Sequence, residues 1–154
     1  MIIAPVGSRI TLSSALKPGG YLELSCTHPV PKADNDTLNL LPNYIEITKQ
    51  YFDIGTAIGA DGHSPENYDQ WMKDAGFVDV VKVVHKIPSG PWPRDPRLKK
   101  VGAFEYHNML EGAEAFILRG MVEVLGRPRA EVEVMLAGMR NELRRPGYHS
   151  YIDL

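Results

Sequence analysis

The sequence predicts an α/β fold, a small mixed sheet with helices packed on it, and three observations carry that prediction. Leu16-Lys17-Pro18-Gly19-Gly20-Tyr21-Leu22-Glu23 reads as a helix end, a tight turn and a strand, with glycine supplying the left-handed backbone of a helix stop. Residues 77–87 are rich in β-branched side chains and bounded by Gly76 and Pro88, the signature of a strand. Between and after these segments, apolar residues recur at three- and four-residue spacing, the period of helices that bury one face.

Taken in order, Met1-Ile2-Ile3-Ala4-Pro5-Val6 is apolar enough to pack, and Pro5 restricts it to an edge. A strand is expected over 21–27. His28-Pro29-Val30-Pro31 and the Asx residues through Asp36 break it into a loop at the carboxyl end of that strand, where ligands of open α/β sheets sit. A helix is expected to begin between Asp36 and Pro42 and to run to about Ile58, with Tyr44, Ile47, Tyr51 and Ile54 on one stripe. Ser64-Pro65-Glu66 then starts a second helix, with Ser64 as cap and Tyr68, Trp71 and Met72 facing inward, and Gly76 stops it.

After the 77–87 strand comes a rigid loop, Ser89-Gly90-Pro91-Trp92-Pro93-Arg94-Asp95. Residues 98–125 read as a helix whose apolar arc, including Phe104 and Phe116, is wide enough to be buried on more than one side. A fourth helix over 129–144 is amphipathic, with Val132, Leu136, Met139 and Leu143 on its inner face. The closing residues 148–154 alternate like a strand.

Composition narrows the function. The 154 residues form one domain, 1–154, and the net charge of −2 is spread without a basic block, so no nucleic-acid partner is expected. No apolar run approaches a membrane span and no signal segment is recognisable, so a cytoplasmic protein without membrane contact is expected. Cys26 is the single cysteine, which precludes an intrachain disulfide and a thiolate cluster. There is no HExxH motif, no facial triad can be placed, and histidines 28, 63, 85, 107 and 149 show no ligand spacing, so no metal is expected.

From Leu16 onward the chain resembles the C-terminal half of the fungal class I S-adenosylmethionine-dependent methyltransferases of the LaeA, or velvet-complex regulator, type. The resemblance rests on Leu16-Lys17-Pro18-Gly19-Gly20-Tyr21-Leu22-Glu23, Ala75-Gly76-Phe77-Val78-Asp79-Val80 and Pro91-Trp92-Pro93-Arg94-Asp95 with Leu98-Lys99-Lys100-Val101-Gly102. Glu131-Val132-Glu133-Val134 and Arg140-Asn141-Glu142-Leu143 followed by His149-Ser150-Tyr151 complete it. It implies a truncated Rossmann-like sheet whose last strand runs antiparallel to the others.

In that family the cofactor is held by a Gly-rich acidic loop and by acidic residues of the first four strands. Fifteen residues ahead of Leu16 leave no room for these, so no cofactor is expected. The exposed edge of the first strand here would be covered by a rearranged element or by a second copy, so a homodimer or an exchange of elements is expected.

What the resemblance retains is the part that holds the methyl acceptor, a pocket expected to be lined by Tyr44, Tyr51, Tyr68, Trp71, Trp92 and Tyr106 and to suit a small apolar natural product. Three residues are candidates for chemistry there. His28, near Asp34 and Asp36, is either an acid or base oriented by a carboxylate or a loop residue at a helix start. His107 lies one turn from Glu111, as an oriented base or a structural pair. Arg94 either binds a substrate carboxylate or enolate or pairs with Asp95. The expected function is an enzyme of fungal secondary metabolism that guides a cofactor-independent cyclisation, isomerisation or pericyclic step. The alternatives are a non-catalytic pseudo-methyltransferase subunit bound to a partner and a methyltransferase fragment that needs one.

Overall fold

The structure, a computed structural model, describes residues 16–154. The expected edge segment at residues 1–6 and the body of the short helix expected to end at Lys17 lie outside the described residues. Strand β1 (His28–Lys32) leads into a 3-10 turn (Asp36–Leu40) and helix α1 (Pro42–Ala57). A second 3-10 turn (Ser64–Asn67) opens into α2 (Tyr68–Asp74). Strand β2 (Lys86–Pro88) and the long helix α3 (Pro96–Arg119) follow. A π-helical turn (Gly120–Val124) joins α3 to α4 (Arg129–Arg144), and β3 (Tyr151–Asp153) closes the chain. The sheet has the order β1-β3-β2, with β3 in the centre and antiparallel to both neighbours. The antiparallel last strand is as expected.

Local chemistry accounts for the helix ends. Pro42 stands in the first turn of α1, and Asn35 caps the turn before it, accepting from the Thr37 N–H. The Asp95 carboxylate accepts from the N–H groups of Arg97 and Leu98 at 2.9 and 2.8 Å. Asp95 is therefore the cap of α3, and its carboxylate is engaged there. Gly76 takes a φ of 88°, which stops α2 as expected. Ser64 is not a cap: His63 holds that position, and its own N–H donates to Asp61 Oδ1 at 3.0 Å.

Two strands and one helix face differ from expectation. The first strand is His28–Lys32, where proline content predicted a loop, and 21–27 pair with nothing in the sheet. Pro29 and Pro31 are tolerated because β1 is an edge strand, and an irregular register between His28↔Asp153 and Lys32↔Tyr151 absorbs their missing N–H groups. Of residues 77–87 only the end is laddered. Asp79 takes a φ of 54°, and Val78 and Val81 are 83% and 80% exposed. A strand exists only opposite a partner. Leu154, just after β3, exchanges hydrogen bonds with His85 through its N–H and C=O. On α3, Phe104 and Phe116 are exposed, so that helix is buried along one stripe only.

The core lies among the helices. Leu41, Tyr44 and Ile47 of the α1 region pack with Ile117 and Met121 and with Val132, Leu136, Met139 and Leu143 of α4. The N-terminus of α1 has no side-chain cap of its own. Glu142 of α4 supplies one across the helix pair, accepting from the N–H groups of Asn43 and Tyr44 at 3.0 and 3.1 Å and from the Asn43 side-chain amide.

Helix α3 is set against the 89–92 loop at Gly102, where an added Cβ would lie 2.0 Å from the Gly90 carbonyl oxygen. Gly102→Ala is expected to destabilise by about 2–3 kcal/mol, since backbone must move. Gly112→Ala, which meets the ends of two exposed side chains, the Phe116 ring and Asn108 Oδ1, is expected to be neutral or stabilising by about 0.5 kcal/mol. Urea unfolding of both variants checks the contrast.

Candidate functional site

A cleft of about 680 Å³ is lined by residues of β1 and β3 and by the segments around them. Residues 22–26 and 80–85 line it on two strand-prone segments, and Pro65, Tyr68, Met72, Asp153 and Leu154 also line it. Both segments lie outside the strands of the sheet. Lys82 ties its segment to the 64–67 turn and to α2, donating to the Glu66 carbonyl at 2.8 Å and to Asp69 at 3.1 Å.

His28 lines this cleft. Its backbone is placed by the register with Asp153, and its ring meets Phe52 of α1 edge-on at 5.7 Å. Nε2 lies 3.4 Å from Glu66 Oε1 and 3.4 Å from His63 Nδ1. His63 is held in turn by Phe52, stacked on its ring at 4.4 Å. Burial pushes the His28 pKa below the ordinary 6.5, against the pull of Glu66 in the other direction, with His63 and Lys32 adding to the depression. The ring is therefore neutral near pH 7, with a nitrogen next to a carboxylate in a cleft of mixed polarity, an arrangement suited to accepting or relaying a proton.

The carboxylate beside His28 is Glu66, not Asp34 or Asp36. Asp34 binds Lys86 at 2.7 Å and the Tyr151 hydroxyl at 2.8 Å, and these bonds hold its pKa below the usual carboxylate range. Asp36 begins the 3-10 turn.

Of the other residues singled out in the sequence, Tyr68 lines the cleft with His28. Trp71 shares its helix, the two rings 5.9 Å apart. Tyr51 is half-buried on α1, edge-on to Phe52. Tyr44 is in the helical core, where burial pushes its pKa up to about 12. Trp92 donates from Nε1 to the Ser150 carbonyl at 3.0 Å and leans on His149. Arg94 is exposed on the same loop. His107 and Glu111 are on the exposed side of α3, and Tyr106 meets His107 edge-on at 5.7 Å. The set is thus divided among the cleft, the helical core, the 89–95 loop and the outer face of α3.

Sequence reasoning passed over His63 and Glu66. The signal was there, a histidine three residues before a glutamate at a helix start, but nothing local says that this pair faces His28, 35 residues away.

Comparison with known proteins places the chain among fungal relatives. It is 35% identical over 141 residues to a protein named methyltransferase pytC of Aspergillus terreus, a match covering 90% of this chain and 43% of that protein. It is 30% identical over 139 residues to the probable methyltransferase tdiE of Emericella nidulans, covering 90% and 44%. It is also 30% identical over 142 residues to the secondary metabolism regulator LAE1 of Cochliobolus heterostrophus, covering 88% and 45%. The chain therefore spans less than half the length of these relatives. No protein-family model matches it, and no solved structure matches it. Among the described residues, no helix is long and apolar enough to cross a membrane.

Proposed function

We propose, from a chain similar over nine-tenths of its length to methyltransferases and a secondary-metabolism regulator of fungi, that this protein serves fungal secondary metabolism. Its cleft binds a small apolar molecule of polyketide or terpenoid type, and His28 with Glu66 moves a proton on it, guiding an isomerisation or cyclisation without a cofactor. The observation that carries this reading is the buried His28 imidazole, held neutral beside a carboxylate in the lining of the cleft. Such a step needs a shaped site, orientation and one base, all within reach of the residues present. The relatives' methyl transfer is not carried over, because the match covers only part of their length.

The test is calorimetric titration with S-adenosylmethionine and S-adenosylhomocysteine beside a conjugated cyclic ketone of a size to enter the cleft. Saturable binding of the ketone alone, weakened by Leu24→Asp in the cleft wall, is the expected result. Saturable binding of S-adenosylmethionine would overturn the cofactor-free reading and return methyl transfer to the front.

A second reading, a non-catalytic subunit that pairs with another chain, is favoured by a different observation. Segments 21–27 and 78–84 lie outside any ladder and are largely exposed, Tyr21 to 97%, which makes both edges acceptors for an added strand. A second copy of this chain is one such partner. Absence of ketone binding, together with a dimer by light scattering that Val81→Lys dissociates, would select this reading over the first.

A further inference from the structure

The three side chains grouped at the cleft have the spacing of a metal coordination shell. His28 Nε2, His63 Nδ1 and Glu66 Oε1 are separated by 3.4, 3.4 and 3.7 Å. Zinc bonds to imidazole nitrogen at about 2.0–2.1 Å and to carboxylate oxygen at about 2.0–2.2 Å, so corners of a tetrahedron around it lie about 3.3–3.5 Å apart. Both distances from His28 Nε2 fall in that range, and the His63–Glu66 distance lies 0.2 Å beyond it. A hydrogen-bonded cluster would shorten the bonds to Glu66 toward about 2.8 Å and leave the two nitrogens apart.

We infer that His28, His63 and Glu66 form a site for a divalent transition metal, with Zn²⁺ as the ion it fits. Two imidazoles and one carboxylate make a borderline donor set that suits zinc and excludes calcium and magnesium, which take oxygen ligands. Three protein ligands leave a fourth position for water or for an oxygen of a bound molecule. Two of the three ligands line the cleft.

The site is pre-organised by its surroundings. Phe52 contacts both rings, stacked on His63 with 12° between planes and edge-on to His28 at 60°. Gly62 makes room for this, since an added Cβ would lie 2.5 Å from Phe52 Cδ1. Asp61 accepts from the His63 N–H, and the 3-10 turn carries Glu66 back toward the same point. Ligands thus held lose little freedom on closing around an ion.

This inference rests on ligand geometry and not on the reaction proposed above. A metal on His28 Nε2 would occupy the lone pair that otherwise takes a proton. In the loaded protein, polarisation of an oxygen by the ion would therefore stand where His28 acts alone.

The test is titration of the chelator-treated protein with Zn²⁺ by calorimetry and with Co²⁺ by visible absorption. One equivalent of each is expected, with the intense bands of tetrahedral cobalt. His63→Ala is expected to weaken binding by more than about tenfold, the least that loss of even an outer-sphere partner costs a metal site. Because the His63 side chain is more than half exposed, this variant does not threaten folding, and circular dichroism confirms that. Glu66→Gln should weaken binding in the same direction, and His149→Ala should leave it unchanged. Absence of binding, weak octahedral cobalt bands, or affinity that His63→Ala does not alter would overturn the site.

Discussion

Glu142→Ala is expected to cost about 3–4 kcal/mol of unfolding free energy, a large part of the stability of a domain this size. One carboxylate, buried between α1 and α4, accepts from two backbone N–H groups at the start of α1 and from the Asn43 side chain. Bonds to a charged acceptor are worth about 1.5–3 kcal/mol each, though bonds to a shared acceptor do not add in full, and removing the acceptor leaves buried donors unpaired at the positive end of the helix dipole. Helix α1 also carries Tyr44 and Ile47 into the core, so a loosened N-terminus weakens packing with α4. Glu142→Gln keeps one acceptor oxygen and is expected to lose about 1–2 kcal/mol. Urea denaturation of both, beside the exposed Glu133→Ala as control, checks the order. Equal stabilities for Glu142→Ala and Glu133→Ala would remove this cross-helix cap from the account.

His28→Ala is expected to lower turnover of a cleft-bound ketone by about 10²–10⁴-fold, the range a positioned acid or base contributes. The pH dependence carries a sign that a merely structural histidine would not reproduce. Burial depresses the pKa of His28 below 6.5, so the competent neutral form is complete by neutral pH, and the rate falls only in acid, with its inflection below 6.5. Glu66 raises that pKa, so Glu66→Gln should move the inflection further toward acid, which nuclear magnetic resonance titration of the His28 ring can read independently of activity.

Stability follows the same linkage. The unfolded state takes up a proton near 6.5, before the folded state does. The contribution of His28 is therefore whole above that pH, declines as pH drops through the window, and levels off below the folded-state value. An inflection above 6.5, or one that Glu66→Gln leaves in place, would take the proton-transfer role from His28.

The candidate site shows where reading along the chain loses its grip. His28 was visible as a histidine in a segment following a predicted strand, and Tyr68 as an aromatic on a short helix. Their meeting with Glu66 and His63 depends on the 3-10 turn 64–67 coming back to the start of β1, a matter of packing that no spacing encodes. Asp34 and Asp36 are nearer to His28 in sequence than Glu66 is, yet Asp34 is drawn to Lys86 and Tyr151 of the other strands. Trp92, which looked like a pocket residue because two prolines hold it rigid, is anchored by a hydrogen bond to the carbonyl of Ser150.

The sequence by itself determined that four helices form and in what order, with most of their end signals, and its resemblance implied the antiparallel closing strand. Prolines in first turns, Asp95 as a cap, Gly76 at positive φ and the apolar stripe of α4 act within a few residues of where they stand. It also determined the resemblance to fungal methyltransferases, which the relatives bear out. Only the tertiary structure decided which β-prone residues become strands, because a strand is made by its neighbour and not by its own side chains. Residues 28–32 and 86–88 lie opposite β3, while 21–27 and 78–84 lie outside the ladder and contribute lining to the cleft. The same packing decided the chemistry, bringing residues 28, 63 and 66 within a few ångströms of one another across a stretch of chain that sequence distance alone would have kept apart.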